Sequence, residues 1–91
     1  MKKSERSRLV EVRSRKFSLD GTVVDVEEPV TAESATQELG PVHEVPLPNG
    51  ARVYFQRNAE VVNDPVSFAV KAMIGHPIRI LGDAILVPPP L

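Results

Sequence analysis

Apolar and polar residues alternate with a period of two over much of this chain, and one segment switches clearly to a helical period. Val10 and Val12 alternate with Glu11 and Arg13, after which Arg15, Phe17 and Leu19 keep one parity. Successive strand side chains point to opposite faces, so this spacing predicts a strand at about 9–19. Asp20-Gly21 follows, and Thr22-Val23-Val24-Asp25-Val26 resumes β-forming residues. A second strand at about 22–27 therefore closes a hairpin through a two-residue type I′ turn, whose central positions need positive φ. Val42 to Leu47, Pro48-Asn49-Gly50 and Ala51 to Arg57 predict a second hairpin with Asn-Gly at its turn. Pro46 lacks a ladder donor, which assigns 42–47 to a sheet edge. Ile78 to Leu81, Gly82-Asp83 and Ala84 to Val87 predict a third hairpin, its almost continuously apolar second arm lying at the sheet centre.

The helical segment begins at Asn63-Asp64-Pro65. Asp64 can accept a bond from an orphan amide, and Pro65 needs no donor at the first helical position. Val66, Ala69, Val70, Met73 and Ile74 then recur at i, i+3, i+4, i+7 and i+8, with Gly75 as the stop. Phe68 and Ala72 add apolar surface on the flank, leaving Ser67 and Lys71, four apart, as a single polar stripe. A helix apolar nearly all round is either central to a core or covered by another chain. In a small two-layer domain one helix face points outward, so Val66, Phe68, Ala69 and Met73 are the candidate oligomer interface. Thr31 to Leu39 carries a cap and a Gly40-Pro41 stop, but its only apolar residues are Ala32, Ala35 and Leu39. It reads equally as a short helix or an ordered loop.

Composition narrows the class. With 91 residues the chain forms one domain at most, and such a domain buries only about 60–65% of its unfolded surface. Small domains gain stability from disulfides, metals or association, and the absence of cysteine removes the first and every thiolate metal site. The two histidines lack zinc-ligand spacing, so no metal and no cofactor is expected. No apolar run reaches the ~18–20 residues of a membrane span. No secretory signal follows the charged start, and the expected compartment is the cytoplasm.

Charge is unevenly placed. Seven of the 11 basic residues lie within the first 16 positions, and Phe17 to Ala51 holds seven acids with no Lys or Arg. Arg6, Arg8, Arg13, Arg15 and Lys16 are the candidate polyanion-binding set, able to neutralise phosphates with a strong salt dependence. The opposing reading is neutralisation by the chain's own acids, favoured because Glu5 and Glu11 interrupt the run and residues beyond 16 are net acidic. His43 and Glu44 point to opposite faces of a strand, a poor catalytic pair, and His76 suits the carbonyls of a helix end. Neither a nucleophile elbow nor a glycine-rich phosphate loop is present.

These features predict an α+β fold: a mostly antiparallel sheet of five or six short strands in three hairpins, with one principal helix packed on it. Residues 1–8 form a flexible basic arm, 9–87 a single domain, and 88–91 a proline-rich tail that leaves the body as polyproline II. The expected core is Leu19, Val24, Val26, Val53, Phe55, Phe68, Val70, Met73, Ile80, Ile85 and Val87. The functional expectation is a small non-catalytic binding or regulatory module acting through protein–protein contact and forming a homo-oligomer, with no membrane partner. The first alternative is a nucleic-acid-binding regulator using the basic arm and strand, and the second is a small enzyme or ligand carrier.

Overall fold

The computed structural model describes residues 13–90, and in them the period-two segments form one open, antiparallel, five-stranded sheet. Its strands are Arg15–Phe17 (β1), Val23–Asp25 (β2), Val42–Pro46 (β3), Arg52–Gln56 (β4) and Ala84–Val87 (β5). Two helices join them, Ala32–Leu39 (α1) and Asp64–Ile74 (α2). The fold is α+β. In the order β2-β1-β5-β4-β3, the last strand enters between the two hairpins and pairs antiparallel with both β1 and β4. Residues 9–12 of the first expected strand and the arm at 1–8 lie outside the described residues.

The expected third hairpin does not form. Leu81 bridges instead to Val62, and Gly82 donates its N–H to the Val61 carbonyl, so 78–81 runs beside the segment before α2. Gly82 is irreplaceable there: its φ is 76°, and a Cβ would lie 2.5 Å from that of Ala59 and 2.6 Å from Oε1 of Gln56. Neither remaining turn is the two-residue type. Asp20 keeps negative φ, the Gly21 N–H bonds the Ser18 carbonyl, and the Ser18 N–H bonds Thr22. That is a type I turn followed by a positive-φ glycine, a three-residue loop. Pro48-Asn49-Gly50 is also a three-residue loop, with positive φ at Asn49 and Gly50 and closure by Leu47 N–H on Ala51.

Residues 31–39 resolve as a helix, because Thr31 and Ser34 form a reciprocal capping box that satisfies two orphan donors. Ala35 and Leu39 of α1 pack with Val30, Val42, Tyr54, Ile85 and Val87. Val66 and Val70 of α2 pack with Leu47, Ala51, Val53, Ile80 and Ala84. Tyr54 and Val53 are neighbours on one strand, as are Ile85 and Ala84, and each pair divides between the two cores. The helices therefore cover opposite sheet faces, making three layers rather than two.

That second layer explains the errors in the expected core. Val53, Val70, Ile80, Ile85 and Val87 are buried, and Val26, Phe55 and Met73 pack partly against them. Leu19, Val24 and Phe68 are instead exposed, while Val30, Ala35, Leu39, Val42, Leu47, Ala51, Tyr54, Val66 and Ala84 enter the core. The proline tail does not leave the body: Pro88 and Pro89 are half-buried, and a Cβ on Gly50 would lie 2.9 Å from Cδ of Pro90. Among the described residues, no helix is long and apolar enough to cross a membrane.

Candidate functional site: an exposed helix face and an open sheet edge

Helix α2 is held by polar anchors that sequence periodicity does not show. Asn63, not Asp64, is its N-cap, and the Asn63 side chain makes no capping bond. Its Nδ2 instead donates to the Phe17 and Gly82 carbonyls, both at 2.9 Å, from a site only 2% exposed. Ser67 Oγ accepts the Ile80 N–H at 2.8 Å, which turns this polar residue toward the protein body. With Ser67 inward and Val66 and Val70 fully buried, the outer face of α2 presents Pro65, Phe68, Lys71 and Ala72. Phe68 is 73% exposed.

The sequence-predicted interface set is thereby divided. Val66 is enclosed by the protomer's own core and is not available to another chain. Ala69 and Met73 are half-buried, Met73 lining a groove of about 260 Å³ with Arg13, Arg15, Phe17, Leu86, Pro88 and Pro89. Phe68 alone of the four projects into solvent. Beside the first turn of α2, Leu19 shares a second groove with Val62, Asp64 and Pro65, so the β1–β2 turn lies alongside the helix start.

Two further exposed apolar residues lie at a sheet edge, and a third, Val61, lies in the segment before α2. Val23 and Val24 on β2 are 49% and 44% exposed, on opposite faces of the strand. Bonds from Ser18 N–H to Thr22 and from Val26 N–H to Ser14 fix the β1–β2 alternation. Thr22, Val24 and Val26 turn their backbone groups toward β1, so Val23 and Asp25 turn theirs outward. At the opposite edge, the outward positions of β3 are Val42, Glu44 and Pro46. There the Val42 carbonyl accepts a bond from Arg57 at 3.1 Å, and Pro46 has no N–H. Among the described residues, one edge is blocked at both ends and the other has no pairing strand.

The described residues of the polyanion-binding set are engaged within the chain. Arg13 and Arg15 each lie 3.4 Å from Asp25, and Lys16 reaches Glu38 of α1 at 3.3 Å. Arg15 and Lys16 serve opposite sheet faces, so β1 does not gather the polyanion set into one patch. Arg6 and Arg8 lie outside the described residues. These exposed pairs contribute at most about 1 kcal/mol each. Glu44 lies 3.9 Å from Arg52, whose guanidinium also donates to the Val30 carbonyl and sits over the Tyr54 ring.

His43 and Glu44 do point to opposite faces: His43 rests against the Phe55 ring at 5.3 Å, with Phe55 opposite it on β4 and Tyr54 opposite Glu44. His76 is exposed after α2, its Nδ1 3.3 Å from the Pro77 carbonyl oxygen. Asp20 is held below the ordinary carboxyl range by bonds from the Thr22 backbone and side chain, a turn-stabilising role. Among the described residues no group of three or more His, Asp and Glu side chains could hold a metal. Comparison with protein-family models, curated proteins and solved structures finds no match.

Helical periodicity marks the α2 residues, whereas the edge position of β2 is marked in the sequence only by what the strand lacks. The signal was present: 22–27 contains neither proline nor lysine, the residues that commonly protect an edge.

Proposed function

We propose that this chain is a small non-catalytic binding or regulatory module that works in the cytoplasm through protein–protein contact and self-associates. The observation that carries the reading is Phe68, 73% exposed on a helix whose neighbouring positions Val66 and Val70 are fully buried. Covering such a ring stabilises an assembly by about 1.5–3 kcal/mol, and the fold itself gains little from it. Lys71 on the same face keeps the surface soluble without covering the ring.

Light scattering at micromolar concentration tests the proposal. The wild-type chain should show a multiple of its 10.0 kDa protomer mass. Phe68→Ser should shift that mass toward the protomer, and at a dilution where both chains are monomeric its unfolding free energy should stay within about 0.5 kcal/mol of wild type, as expected for an exposed position. A wild-type chain that stays monomeric throughout that range removes the basis of the reading.

A further inference from the structure

We infer that strand β2 is a pairing edge for a second copy of this chain, joined antiparallel about a two-fold axis at Val24. The inference rests on the self-association reading and adds the surface, the register and the contacts. Its starting point is the difference between the two sheet edges. β3 exposes a proline with no donor and a carbonyl already taken by Arg57, whereas β2 exposes the N–H and C=O of both Val23 and Asp25. No proline or lysine stands on β2, and its two valines are about half exposed. An unprotected edge with apolar side chains is a template for another strand.

The occupant follows from the pattern of those groups. Outward-facing residues must meet outward-facing residues, which leaves three two-fold registers within reach. Centring on Val23 engages that residue alone and sets Asp25 opposite Gly21 of the turn. Centring on Asp25 sets two carboxylates directly opposite one another, which is destabilising. Centring on Val24 pairs Val23 with Asp25 of the other copy on both sides of the axis, and all four outward groups of each β2 are used. Val24 then meets its own counterpart as a non-hydrogen-bonded pair, the closer of the two antiparallel spacings at about 4.5 Å between Cα atoms. Asp25 keeps Arg15 beside it on β1 and gains an apolar neighbour on its other flank. The strand is thus complementary to itself in backbone donors and acceptors, and this register sets no two carboxylates directly opposite one another. The two sheets merge into one, and the isologous contact closes at a dimer.

The absence of cysteine makes the register directly readable. V24C supplies one thiol per chain at a Cα separation within the range a disulfide spans. V61C, on a residue 60% exposed outside β2, supplies the collision control. Under mild oxidation V24C should form dimers at least about tenfold faster than V61C, and sedimentation should show the wild-type dimer. V23P is the second variant. Val23 does not use its N–H in the β1 ladder, so this change keeps the hairpin ladder but deletes one intersubunit bond from each copy. Two lost bonds should weaken the dimer about tenfold or more. If wild type dimerises but V24C links no faster than V61C, or V23P dimerises as well as wild type, the β2 edge is overturned and the module reading stands. If wild type does not self-associate and V24C links no faster than V61C, both fall.

Discussion

Removing the side chain of Asn63 tests the account of how α2 is anchored to the sheet. Asn63 is 2% exposed, and its Nδ2 bridges the carbonyls of Phe17 on β1 and Gly82 before β5. The backbone bonds of this residue, from its N–H to Ile80 and to its carbonyl from Ser67, survive in an alanine variant. Asn63→Ala therefore isolates two side-chain bonds and the void left behind. Each bond contributes about 0.5–1.5 kcal/mol net, and acceptors left dry in a buried site raise the loss. The expected destabilisation is about 2–4 kcal/mol, a large part of the roughly 5–13 kcal/mol typical of a chain this long. For a domain of this size that lowers the melting temperature by about 10–25 °C. Asn63→Asp separates donor from volume: the side chain keeps its size, but the carboxylate has no N–H and faces two carbonyl oxygens. It should be worse than alanine at neutral pH and recover partly in acid, where the protonated carboxyl can donate once. Burial raises this carboxyl's folded-state pKa, so the penalty grows as pH rises through the ordinary carboxyl range. Thermal circular dichroism at several pH values measures both. An alanine variant melting within about 2 °C of wild type, or an aspartate variant no worse than alanine at pH 7, refutes the bridging role.

Gly82→Ala should destabilise by more than about 2 kcal/mol in urea titration, because the new Cβ meets Ala59 and Gln56 while the backbone stays at positive φ. Asp20→Asn should change the pH dependence of stability. Thr22 holds the Asp20 pKa below its unfolded value, so its contribution is fully present above about pH 4 and is lost as pH falls through the folded-state value. The stability difference between wild type and Asp20→Asn, followed by melting at stepwise lower pH, should shrink below that point.

Local chemistry made much of the fold legible. Asn49-Gly50 and Asp20-Gly21 do turn the chain, Pro46 does mark an edge, and the apolar run Ala84–Val87 does lie inside the sheet. The first turn is longer than its Asp-Gly signal predicts because Asp20 keeps negative φ, making Leu19-Asp20-Gly21 a three-residue loop, whereas Asn49 and Gly50 take the expected positive φ. The third hairpin failed on a long-range effect: Gly82 is demanded by its packing on Ala59 and Gln56, not by a turn to the next strand. The second core was hidden by the sparse apolar content of α1, where Ala35 and Leu39 suffice because Tyr54, Ile85 and Val87 fill the rest. Arg52-Val53-Tyr54-Phe55 is nevertheless nearly unbroken, the pattern of a strand covered on both faces. At the candidate site, periodicity identified an over-apolar helix but not which side faces out. That depended on Ser67 turning inward to the Ile80 backbone, a contact between residues thirteen apart.

The apolar excess of this chain lies at the margin of its layers. Each helix has its own core, and those cores take residues from β3, β4 and β5, with Phe17 of β1 packed at the rim of one. No residue of β2 belongs to either core, and all three are exposed. The sheet is thus one strand wider than its two cores, and that strand is built of valine with an aspartate already balanced by arginine. In this chain, two-fold pairing at Val24 would let each β2 cover the other, placing valine against valine on the α1 side and Val23 against Asp25 on the α2 side. Phe68 lies on α2, outside β2, and takes no part in this register. The two exposed regions therefore separate by experiment: a change at Val23 or Val24 tests the edge, and a change at Phe68 tests the helix.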